Sequence, residues 1–306
     1  MTAQPSPSTA VAYFLHLRPK SWPTVFAHAF AGALMAKGPD IFKSTGTHAL
    51  LQALIGCIVW AVCMNGGTLA FNSAIDKDDG DVGFLNNPPP LPAHLATFGF
   101  VLMLIGAIAG FFLGVSYLVT YVVCIVLSWL YSAPPARLKT RGGWDVAVNM
   151  VGYGAATLLA GWFAVDPHPD GVAWTVALGF AFLFAVVYPM TQFYQREEDE
   201  RKGARTLALM LGKNGSMIFI HVSLVLAMLA WGCALYLLAG RAPFISIPSI
   251  VLWAVQGVIW LVFCLDWWIR FDRYPHQKGL YRSMALWAVT DIALVISFGR
   301  FDVLWG

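Results

Sequence analysis

The sequence predicts an all-α integral membrane protein with about nine transmembrane helices. Three observations predict it: apolar stretches recur along the whole chain, charged residues make up only 11% of it, and mean hydropathy is +0.67. A soluble domain carries about 25% charged residues, so a water-exposed globule of this composition is excluded. The net charge of +3 gives no reason to expect a nucleic-acid partner. The five cysteines all lie inside apolar segments, with neither metal-ligand spacing nor extramembrane pairing, and read as small packing residues.

Taken in order, residues 1–12 are rich in Ser, Thr, Pro and Ala and are expected to be disordered, with one transmembrane domain over 13–306. No charged stretch with a small-residue cleavage site precedes the first apolar run, so no cleavable signal peptide is expected. Tyr13–Trp22, YFLHLRPKSW, reads as an interfacial helix. Spans follow near 22–37, 49–74, 94–113, 115–133, 145–165, 172–194, 216–240, 245–267 and 282–303. With the N-terminus inside, 15 of the 19 Lys and Arg residues fall on inner segments and four on outer ones. That bias puts the N-terminus and every long polar loop in the cytoplasm, and the expected setting is a bacterial inner membrane.

Half of the 16 acidic residues sit in two clusters, Asp76–Asp81 and Glu197–Glu200, each at the inner end of an apolar stretch. Asn72, Asp76 and Asp79 stand at i, i+4 and i+7 and would share one helical face. Two carboxylates and an amide oxygen on one face suit a hard cation such as Mg²⁺, which usually also carries phosphate oxygens. A solvated helix end could carry the same aspartates. Asn72, however, lies one turn deeper, where an unpartnered amide is costly, and Asn65 and Thr68 extend its polar face into the membrane. In the second cluster Tyr188, Gln192, Gln195 and Asp199 form one stripe at i, i+4, i+7 and i+11, whereas the glutamates read as a solvated face. The two clusters echo each other as N-x-x-x-D-x-x-x-G and Q-x-x-x-D-x-x-x-G, which suggests two half-sites related by pseudosymmetry.

Between them lies YSAPPARLKTRGG, Tyr131–Gly143, in which Arg137, Lys139 and Arg141 alternate after the prolines. Basic side chains beside a metal site are what a diphosphate requires, although positive-inside topology alone also places them there. Arg18 and Lys20 offer the same service from the N-terminal side. Asn149 and Asp291 lie within spans and are functional suspects for that reason.

Four blocks in this order resemble the UbiA-type superfamily of intramembrane prenyltransferases over essentially the whole chain. The family's N-D-x-x-D-x-x-x-D reads NSAIDKDDG here, its D-x-x-x-D-x-x-x-G-x-x-T-L reads QREEDERKGARTL, its YSxPPxRxK reads YSAPPARLK, and its L-R-P-x-x-W reads LRPKSW. The resemblance implies nine helices around a central cavity with a cytoplasmic polar cap. It implies ionisation of an isoprenyl diphosphate and attack by an aromatic or other lipophilic acceptor, with membrane lipid around the tail. Carried onto matching positions, Asn72, Asp76, Asp79 and Asp199 would hold Mg²⁺, with Asn72, Asp76, Asp199 and Lys139 catalytic. Arg18, Asn65, Tyr131, Arg137, Lys139, Asn149, Gln192 and Gln195 would line the substrate.

The departures mark a divergent branch. Ser73 replaces an acid, Gly80 stands where the last aspartate is usual, Gln195 replaces the leading aspartate of the second motif, and Asn65 sits at a position often held by arginine. FLNNPPPLPAHL, Phe84–Leu95, lacks the usual basic pattern. Three other readings stay open: a terpene cyclase of the same superfamily, an ion-coupled transporter, and a degenerate binder without catalysis.

Overall fold

A computed structural model describes residues 8–78, 80–201, 203–240 and 247–299, the side chain of Glu198 aside. Helix α1 (Thr9–His16) precedes α2 (Trp22–Lys37). A continuous rod follows: α3 (Thr47–Ile58), a π-helical stretch at Val59–Gly66, then α4 (Gly67–Asp76). Next come α5 (Leu95–Phe111) and α6 (Val115–Ser132). A second broken rod consists of α7 (Trp144–Asn149), a π-helical stretch at Met150–Ala156, and α8 (Thr157–Val165). Then follow α9 (Gly171–Tyr194), α10 (Arg196–Arg201), α11 (Leu207–Ala239), α12 (Ile247–Ile269) and α13 (His276–Phe298).

A helix lies at each of the nine expected positions, but by length and apolarity only seven are able to cross a membrane among the described residues. The other two, α2 and α5, have 16 and 17 residues. At 1.5 Å per residue they reach about 25 Å, short of a hydrocarbon core of about 30 Å. Helix also begins earlier than expected, at Thr9 rather than Tyr13. Ala10 and Ala12 favour helix, and Ala12 is buried. The span expected from residue 216 starts at Leu207, with a left-handed break at Gly212 (φ 62°).

Unlike a soluble protein, the chain is apolar on its outer faces as well as in its core. Ile108, Val119, Leu229 and Val262 are more than half exposed on outer faces, as a lipid-facing surface requires. The interior is tied by small residues. Gly32 of α2 and Gly161 of α8 each pack against the other helix's backbone, at Leu158 and Ala29, and a Cβ on either would overlap a carbonyl oxygen. Close approach of this kind is how membrane helices associate without a hydrophobic drive. The two π-helical stretches meet where Tyr153 OH donates to Asn65 Oδ1 at 3.1 Å, and Trp60 Nε1 of the first donates to Thr157 Oγ1, the first residue of α8, at 3.1 Å.

Candidate active site

Asp76 is the last residue of α4, and Lys77 stops the helix by turning left-handed at φ 53°. Asn72 and Asp76 therefore share one face, as their spacing requires. Asp79, the third residue of the expected face, lies outside the described residues. After α6 ends at Ser132, the chain turns left-handed at Arg137 (φ 38°) and folds back over α4. Lys139 Nζ donates to Asn72 Oδ1 at 2.7 Å and is ion-paired with Asp76. Arg137 Nη2 lies 3.4 Å from Asp76 Oδ1. Burial pushes the Lys139 ammonium below the ordinary lysine value, while Asp76 pulls it back up. Arg141 turns instead to the Pro135 carbonyl, and Lys20 is exposed.

Arg18 closes the mouth from the N-terminal side. Only 7% exposed, it donates through Nη2 to Ser73 Oγ at 2.7 Å and lies 3.7 Å from Asp78. Its Nε has no hydrogen-bond partner. Burial lowers the Arg18 pKa, and Asp78 opposes the shift. Ser73, standing where the resemblance expects an acid, thus accepts from an arginine whose counter-charge comes from Asp78. The sequence reading did not single out Asp78 as that partner.

On α9 and just beyond it, Tyr188, Gln192, Gln195 and Asp199 all line the same cavity. The Gln192 amide is spent on structure at both ends: Nε2 donates to Asp145 Oδ2 at 2.6 Å, and Oε1 accepts from the Ala208 N–H at 3.0 Å. Asp145 also accepts from the Leu207 N–H at 2.8 Å. This buried carboxylate joins α7, α9 and the start of α11. Sequence reading passed over it, although an acid opening an apolar span was there to be seen. The Tyr131 and Tyr188 hydroxyls lie 2.5 Å apart. Asn65 donates to Ser21 Oγ at 2.9 Å, and Asn149 to the Asp145 carbonyl at 2.7 Å.

Apart from Asp79, every residue to which the resemblance gives a metal or substrate role lines this one cavity of about 380 Å³, whereas Lys20, Arg141 and Asp291 do not. Its depth is apolar, with Val25, Phe184, Met284 and Trp287. There His28 Nδ1 lies 2.7 Å from Asp291 Oδ1, and Nε2 lies 3.0 Å from the Gly154 carbonyl. Asp291 thus ties α13 to α2 through an imidazole.

Among the described residues no group of three or more His, Cys, Asp or Glu side chains is placed to hold a metal. The donors are instead the Asn72 amide oxygen and the Asp76 carboxylate one turn apart, with Asp199 on the same cavity. Oxygen donors of this kind fit a hard cation. The ammonium of Lys139, set between the first two, shows that the point attracts positive charge.

A helical bundle with seven helices long and apolar enough to cross a membrane, around a cavity that is charged at one end and apolar at the other, defines an integral membrane protein with a polar site set among its helices. Residues 25–266 match the UbiA prenyltransferase family, and the chain belongs to that family. It is 26% identical over 197 residues to the bacteriochlorophyll synthase 33 kDa chain of Cereibacter sphaeroides, which covers 58% of this chain and 63% of that relative's own length. The fold is also that of a UbiA homologue from Archaeoglobus fulgidus solved with GPP and Mg²⁺. The TM-score is 0.68 at 15% identity, covering 93% of this chain and 99% of the other. A digeranylgeranylglyceryl phosphate synthase structure matches with TM-score 0.67 at 15% identity, covering 96% and 100%.

Proposed function

We propose that the chain transfers an isoprenyl group from an isoprenyl diphosphate to a lipophilic, most often aromatic, acceptor, with Mg²⁺ as cofactor. The observation that carries this is the gradient within one cavity, from Arg18, Arg137, Lys139, Asp76 and Asp199 to Val25, Phe184, Met284 and Trp287. A molecule with a polyanionic head and a hydrocarbon tail matches that gradient end to end. Family membership supports the reaction class, and the bound GPP and Mg²⁺ of the A. fulgidus homologue support the donor and the metal.

In this reading Arg137 and Lys139 turn from Asp76 to the diphosphate, and their charge-assisted hydrogen bonds strengthen as negative charge builds on it. Arg18 offers its unpartnered Nε to the same head. Asn72, Asp76 and Asp199, with Asp79, would hold Mg²⁺, which when bound neutralises the leaving diphosphate. The C1–O bond breaks with its electron pair leaving on the diphosphate. The acceptor's electron pair then closes on C1, and the acceptor sheds a proton. Phe184 and Trp287 face the allylic cation with their π systems, and the apolar walls exclude water. The bias of 15 Lys and Arg residues against four supports a cytoplasmic mouth and N-terminus.

The test is diphosphate release by the purified protein in lipid, offered isoprenyl diphosphates of several lengths with and without Mg²⁺. Release is expected only with Mg²⁺, and Asp76→Asn and Asp199→Asn should each abolish it in a folded protein. The organic product then separates transfer from cyclisation. Absence of release both without acceptor and with a panel of aromatic acceptors would sink the proposal.

A further inference from the structure

At the apolar end of the cavity stands a pair of ionisable side chains that prenyl transfer itself does not use. His28 of α2 lines the cavity and is 3% exposed; Asp291 of α13 is 5% exposed and does not line it. Ionisable groups at such depth are expensive and point to function. The hydrogen bonds fix where the protons are. The Gly154 carbonyl only accepts, so His28 Nε2, 3.0 Å away, carries a proton. Nδ1 and the Asp291 carboxylate, 2.7 Å apart, share a second one. Both ring nitrogens are spent, so the imidazole is not free to take the proton that an acceptor sheds.

What the imidazole does instead is hold a wall. Gly154 belongs to the π-helical stretch Met150–Ala156. Beside it, Tyr153 lays its ring nearly flat on Phe184 of α9, with centroids 5.5 Å apart and 12° between planes. Phe184 meets Trp287 of α13 edge to face at 5.9 Å, and Trp287 meets His28 in the same way at 5.0 Å. The contacts close into a ring, and all four side chains line the cavity. Aromatic neighbours hold one another by shape and have several acceptable offsets. The bonds of His28 allow one direction, because turning the imidazole would strand a buried carboxylate.

We propose that His28, clamped by Asp291, is a positioning residue that fixes the Tyr153–Phe184–Trp287 wall against the allylic cation, and so decides whether that cation is recaptured or meets water. This rests on the prenyl-transfer reading and assigns its shielding step to a particular pair.

The experiment follows geranyl diphosphate, labelled with ¹⁸O at the oxygen on C1, with the full chain in lipid nanodiscs, Mg²⁺ and no acceptor. Ionisation breaks the C1–O bond, and its electron pair leaves on the diphosphate. Return of the cation to another oxygen of the same phosphate moves the label, whereas attack by water gives a prenyl alcohol and a proton. The ratio of alcohol to moved label reports shielding and does not depend on how much protein is folded. His28→Phe/Asp291→Leu removes the whole pair, which is tolerated where loss of one charged partner is not. Its ratio should rise by about tenfold or more, with half-saturating geranyl diphosphate within about threefold of native. Asp291→Leu leaves Nδ1 unserved, should raise the ratio as well, and serves if the double variant does not fold. Asp291→Asn can offer an amide N–H to Nδ1 while Nε2 stays on Gly154, so its ratio should match the native one. A ratio unmoved by the leucine variants overturns the proposal, as does one raised equally in Asp291→Asn. A native protein that moves no label and passes every cation to water overturns it too. In each of these cases ionisation, and with it the transfer reading, stands. Neither moved label nor alcohol from the native protein sinks prenyl transfer, and this inference falls with it.

Discussion

At the scale of single residues, the site in this state is closed by its own cation. Lys139 bridges Asn72 and Asp76, so it occupies the point where the oxygen donors converge. Any divalent cation arriving there must displace it, and the diphosphate gives the ammonium somewhere to go. We expect Lys139→Met to have two opposite effects. Loss of a hydrogen bond to a charged group is worth about 1.5–3 kcal/mol, so diphosphate affinity should fall about tenfold to a hundredfold. Mn²⁺ binding without diphosphate, followed by electron paramagnetic resonance, should tighten. Unchanged Mn²⁺ affinity would mean that the lysine does not guard the half-site. The Asn72–Asp76 face was legible in the sequence because a spacing of four fixes it on any helix. The contact of Arg18 with Ser73 and Asp78 was not, because it depends on left-handed turns at Arg18 and Lys77. Such conformations cost a non-glycine residue energy and persist only where tertiary contacts impose them.

At the scale of elements, the helices were legible from apolar length, while their breaks were not. The π-helical stretches at Val59–Gly66 and Met150–Ala156 leave no compositional mark, yet they bring Asn65 and Tyr153 together. π-Helical turns concentrate at functional sites for this reason: the extra residue per turn re-aims side chains. Gln192 illustrates the opposite case. Its stripe position correctly predicts the cavity face, but its amide is consumed by Asp145 and the start of α11. Asp145→Ala would leave the Gln192 amide and the Leu207 N–H without their acceptor in a buried place. Each unmet donor costs about 1–3 kcal/mol. We expect a thermal unfolding midpoint in detergent well below that of the native protein, with Asp145→Asn intermediate because it keeps one acceptor oxygen. An unchanged midpoint for Asp145→Ala would show that the junction relaxes around the loss. Because Asp145 braces Gln192 and the start of α11 without lining the cavity, residual activity at low temperature should survive.

At the scale of the whole molecule, length and contact give different counts of membrane crossings, and contact is the stronger argument. Seven helices are long and apolar enough to span, leaving α2 and α5 short. Arg18, ahead of α2, touches Ser73 and Asp78 at the far end of the α3–α4 rod. If that rod spans, α2 must first carry the chain across for the two ends to meet on one side. The same holds for Asp76 and Lys139, which pair across α5 and α6. If α6 spans, α5 must span too, its length eked out by a locally thinned bilayer or flanking turns. We therefore expect nine crossings. The measurement is labelling by a membrane-impermeant maleimide of single cysteines placed at Lys77, Phe112, Arg141 and His168 in a variant lacking the native five. With nine crossings, positions 112 and 168 react from the outer face and 77 and 141 only after permeabilisation. If α5 fails to cross, position 112 keeps company with 77, and 141 changes sides. That outcome would separate Asp76 from Lys139 by a bilayer and dismantle the candidate site together with the topology.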